Sequence, residues 1–149
     1  MKPFIMDVML VDTVSLNNRL YSKAVVDEIV ATAPNPIPVF VGRDDENPPL
    51  LALAFMGELF LEGNVLKVRL TPTGTEAAHN IVALFGMVGT EQFRAALWGY
   101  GIITGPNGES MEEDAPAPRE KLVEVVQPGF QLQSIRIIPV EEWPYWRLP

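Results

Sequence analysis

Residues 17–30 read NNRLYSKAVVDEIV, a polar turn running into a short helix with its own start signal. Ser22 stands at the position where a side-chain oxygen can accept from a free N–H of the first helical turn. Val25, Val26, Ile29 and Val30 then fall on one helical face, with Lys23, Asp27 and Glu28 toward water. Pro34 and Pro36 stop the helix, because proline lacks the N–H that the next turn needs.

On the N-terminal side, Phe4–Val14 is rich in Ile, Val, Met and Leu and is bounded by Pro3 and the polar Ser15, Asn17, Asn18 cluster. It reads as a strand buried on both faces. On the C-terminal side a short strand, Ile37–Val41, leads into the polar stretch GRDDENPP at 42–49. From Leu51 the chain reads as a hairpin, with an apolar arm to Leu61 and a turn at Glu62, Gly63 and Asn64. In the return arm Leu66, Val68 and Leu70 alternate with Lys67 and Arg69, so one face of that arm is wet.

TPTGT follows, with Thr75 as the cap of a second helix through Phe85. Ala77, Ala78, Ile81, Val82 and Phe85 form its buried stripe and Gly86 closes it. A helical turn at Thr90–Phe93 precedes a strand, Ala95–Thr104, in which Gly99 and Gly101 mark a bulge or a close backbone approach. Residues 105–121, rich in Pro, Gly and acids, read as an exposed loop. Strands Leu122–Val126 and Phe130–Val140, joined by a Pro128-Gly129 turn, complete the β structure.

This order, about seven strands with two main helices, predicts an α+β fold. The form is a mostly antiparallel barrel or sandwich rather than a doubly wound sheet. Residues 1–140 form one domain and 141–149 an aromatic tail. Neither a G-x-G-x-x-G fingerprint nor a P-loop lysine motif occurs.

Composition narrows the function classes. Of 149 residues, 48% are apolar and 20% charged, enough to fold around a core. Eleven basic against nineteen acidic residues give a net charge of −8, which repels phosphate backbones, so no nucleic-acid partner is expected. The absence of cysteine excludes disulfides and thiolate metal sites, and one histidine leaves little for an imidazole site; no cofactor or metal is implied. No apolar run is long enough to span a membrane, and MKPFIMDVML, interrupted by Asp7, reads as a poor secretory signal.

NNRLYSKAVVDEIV resembles the N-x-R-x-Y-P-K-then-helix opening of the tailed-phage prohead, or capsid maturation, proteases, the family that shares the herpesvirus assemblin fold. Further likenesses follow in order: the hairpin before a TPTG-type helix entry, a Gly-x-Gly strand at WGYG, and FQLQSIRIIPV, which is similar to the family's F-x-L-x-x-I-D-I-V strand. The resemblance runs from Val8 to Val140 and implies a prohead-protease-like fold. Active members carry a His-Pro just before the hairpin and a Ser just before the Gly-x-Gly strand, as base and nucleophile. Here ENPP places Asn47 at the first position and RAALWGYG places Ala96 at the second. An amide cannot act as the base and an alanine has no attacking oxygen, so the resemblance implies a protease fold without its chemistry.

Other residues are weighed for the missing roles. His79, the sole imidazole, lies within the TPTG helix and reads as a structural residue. Ser22 is a cap, Ser15 lies in a turn, Ser110 in the acidic loop and Ser134 in the last strand. Asp44, Asp45 and Glu46 lack the EF-hand spacing and read as a solvated loop, as do Glu112, Glu113 and Asp114. Glu58 and Glu62 flank the hairpin turn and need no catalytic explanation.

The tail EEWPYWRLP concentrates Trp143, Tyr145, Trp146 and Arg147. These either fold back on the domain or anchor the terminus on a partner, since Trp, Tyr and Arg dominate interface hot spots. The resemblance implies a non-catalytic tailed-phage virion structural protein, a capsid decoration or cement protein. Its expected partner is the major capsid protein, and it would attach as a dimer or trimer after assembly in the host cytoplasm. The alternatives are a maturation serine protease using His79 with one of the serines, and a non-catalytic scaffold or assembly partner.

Overall fold

The computed structural model describes residues 3–14, 19–41, 53–105, 108–113 and 124–139. In chain order the elements are β1 (Phe4–Leu10), β2 (Arg19–Leu20), α1 (Lys23–Thr32), β3 (Ile37–Val41), β4 (Leu53–Glu62) and β5 (Val65–Pro72). They are followed by α2 (Glu76–Val88), a 3₁₀ turn at Thr90–Gln92, β6 (Phe93–Gly105), β7 (Gly108–Glu113), β8 (Glu124–Val126) and β9 (Gln131–Pro139). The fold is α+β, with two α-helices among the described residues on a mostly antiparallel sheet.

Local chemistry explains most of these elements. Ser22 accepts from the Val25 N–H and starts α1, whose Val25, Val26 and Ile29 are buried. Asp12 adds a second anchor: its carboxylate accepts from the Lys23 N–H, a favourable place for negative charge at a helix N-terminus. β4 and β5 form the hairpin around Gly63-Asn64, with Glu62 paired to Val65. Leu66, Val68 and Leu70 are fully buried while Arg69 faces water, the alternation expected of a strand with one wet side.

Among the described residues nine strands form one sheet, in the order β1-β5-β4-β3-β9-β6-β8-β2, with β7 added to β6. β3–β9 and β2–β8 are the parallel pairs; the others are antiparallel. The sheet curls until β1, at one end of the order, comes against β6. α2 lies over β4, and its Phe85 ring meets those of Phe4, Phe55 and Phe93 at centroid distances of 5.7, 6.4 and 5.4 Å. These four rings, drawn from three strands and a helix, close one end of the core.

Four readings of the sequence are corrected. β1 is not buried on both faces: Met6 and Val8 are buried on the core side while Ile5 is 56% exposed, so its outer face meets water. α2 continues past Gly86 to Val88 and ends at Gly89, whose φ of 82° is the left-handed value that glycine tolerates. Within the supposed acidic loop 105–121, residues 108–113 form β7, hydrogen-bonded to β6 from Gly105↔Gly108 to Tyr100↔Glu113. A strand needs a backbone partner more than an apolar composition, and β6 supplies one. With β2 and β7 the strand number among the described residues is nine rather than about seven. Positions 106, 107 and 114–121, and the tail 141–149, lie outside the described residues.

Candidate functional site

β3, β9 and β6 run side by side, and their registers place Phe40, Arg136 and Ala96 in one row across the three strands. Cross-strand partners share a face, so Ala96 and Trp98 of β6 lie on the same side as Arg136 and Ser134 of β9. The row is buried: Ala96 is 2% and Arg136 3% exposed. The Arg136 guanidinium lies 5.1 Å from the centroid of the Phe40 ring and 5.1 Å from that of Trp98, and its Nε donates to Ser134 Oγ at 3.3 Å. Two aromatic faces thus flank a permanent cation, an arrangement that favours guanidinium over ammonium.

This is the place where the resemblance puts the nucleophile. At Ala96 there is a methyl group, and the charged neighbour opposite it is a guanidinium, which stays protonated and cannot accept a proton. Arg136 also occupies the position at which the F-x-L-x-x-I-D-I-V pattern carries its acid, so a negative group is replaced by a positive one. Asn47 lies outside the described residues, so its separation from Ala96 is not described; β3 ends at Val41, which pairs with Ile137, in turn opposite Ala95. Arg136, Trp98 and Phe40 were not singled out by sequence reasoning. The available signal was a lone arginine inside the otherwise apolar run IRIIPV.

The motifs that carry the resemblance converge on packing. Tyr21 of the R-x-Y segment is buried edge-on against Phe130, at 6.1 Å between centroids. Phe130 in turn lies on the Gly-x-Gly strand: a Cβ at Gly101 would fall 2.7 Å from Phe130 Cδ2, and one at Gly99 would fall 2.2 Å from the Gln131 carbonyl oxygen. The ladder between β6 and β9 shifts register between Trp98 and Gly99, the bulge anticipated from the glycines. In TPTGT, Thr75 caps α2 by accepting from the Ala78 N–H and also donates to the Leu53 carbonyl at 2.7 Å; its hydroxyl lies 2.8 Å from that of Thr73. The two threonines therefore tie the start of α2 to the start of β4.

The remaining candidates are dispersed. His79 is exposed on α2, its N–H bonded to the Thr75 carbonyl in the helix. Ser22 is engaged as the cap of α1, and Ser134 is buried in β9 as the acceptor for Arg136. Ser110 lies in β7 with Glu112 and Glu113, while Ser15, Asp44, Asp45, Glu46, Asp114 and the tail residues Trp143, Tyr145, Trp146 and Arg147 lie outside the described residues. Glu58 is exposed on β4 and Glu62 ends it, 3.4 Å from Lys67. Among the described residues no group of three or more Asp, Glu, His or Cys side chains is placed to hold a metal ion.

A curled antiparallel sheet with these two helices is a prohead-protease-like fold, the class defined by capsid assembly proteases. A solved structure with a similar fold is the bacteriophage T4 capsid assembly protease, gp21. It is similar over 91% of this chain and 80% of that one, with a TM-score of 0.58 and 16% identity. No protein-family model and no curated protein matches the chain.

Proposed function

We propose that the chain is a non-catalytic structural protein of a tailed-phage head, a decoration or cement protein that binds the major capsid protein. The observation that carries this reading is the Ala96–Arg136 row: a capsid-assembly-protease fold with a methyl group and a fixed cation where the resemblance expects a nucleophile. A domain that keeps this fold without its chemistry has a use as a binding part in the same assembly. Asn47 in place of the general base supports the same reading from the sequence. The net charge of −8 suits a protein shell better than packaged DNA.

In this proposal Trp143, Tyr145, Trp146 and Arg147 anchor the chain on the capsid, and a dimer or trimer multiplies weak contacts into firm attachment to the virion. Co-sedimentation of the purified protein with mature capsids tests it. Saturable binding that is lost in Trp146→Ala, with the variant's melting temperature unchanged, supports attachment through the tail. Absence of binding by the intact chain contradicts it.

The second reading is a maturation protease in which His79 works with a serine, and the likeness to a capsid assembly protease favours it. It requires that His79→Ala abolish cleavage of capsid or scaffold precursors.

A further inference from the structure

We draw no further inference here: the strongest candidate, the outer face of α2 on which Leu84 and Met87 are exposed, is an unpartnered apolar surface patch, and nothing in the structure shows what covers it.

Discussion

Ala96 stands directly opposite Arg136 in the ladder between β6 and β9, and the Arg136 guanidinium is flanked by the rings of Phe40 and Trp98. A buried methyl group beside a ring-flanked cation packs the row, and Ser134 Oγ, two residues along β9, accepts from Arg136 Nε. Arg136 therefore supports the row structurally. Arg136→Ala is expected to lower stability by ~2–4 kcal/mol through lost stem packing and lost cation–π contacts, with Arg136→Lys falling between. Urea unfolding followed by tryptophan fluorescence measures both; equal stability of all three proteins would remove Arg136 from this role.

The Gly-x-Gly strand should respond unequally at its two glycines. Gly99 abuts backbone, the Gln131 carbonyl, whereas Gly101 abuts the movable Phe130 ring. Gly99→Ala is expected to cost ~3 kcal/mol or more and Gly101→Ala less, since overpacking is relieved where a side chain can shift. Combining Phe130→Leu with each substitution should rescue Gly101→Ala and leave Gly99→Ala impaired. Rescue of both, or of neither, would contradict the geometry.

Thr75 is both cap and tether. Thr75→Ala is expected to cost ~1–2 kcal/mol, and Thr75→Ser to recover most of it, because the hydroxyl serves the Ala78 N–H and the Leu53 carbonyl. Hydrogen exchange at the start of α2 should accelerate in the alanine variant while α1 stays protected. Uniform loss of protection would show that the cap is not a local feature.

The surface position of His79 leads to a plain expectation. His79→Ala should leave the melting temperature unchanged and head maturation intact, and a serine-directed phosphonate should label none of the serines in the wild-type protein. Labelling of Ser134, or loss of maturation in the variant, would establish the protease reading instead.

Much of the fold was legible in local chemistry: both helix caps, the Gly63-Asn64 hairpin and the alternation in β5 follow from residue types at fixed spacing. β7 was not, because its acidic composition resembles a loop and only the partner strand β6 makes it a strand. The end of α2 was misplaced because an interior glycine costs a helix only about 1 kcal/mol, which Phe85 packing at one end offsets. The candidate site was half legible. Ala96 could be placed by its distance from WGYG, but its neighbours Arg136 and Phe40 lie about 40 and 56 residues away in sequence, and register between distant strands is set by tertiary packing.

The most direct measurement is the copy number of this protein relative to the major capsid protein in purified mature virions, by quantitative mass spectrometry. A structural shell component is expected as full-length chain in fixed stoichiometry with the capsid protein. Absence from virions, or only trace self-cleaved fragments, would contradict that role and point to an assembly-stage protein.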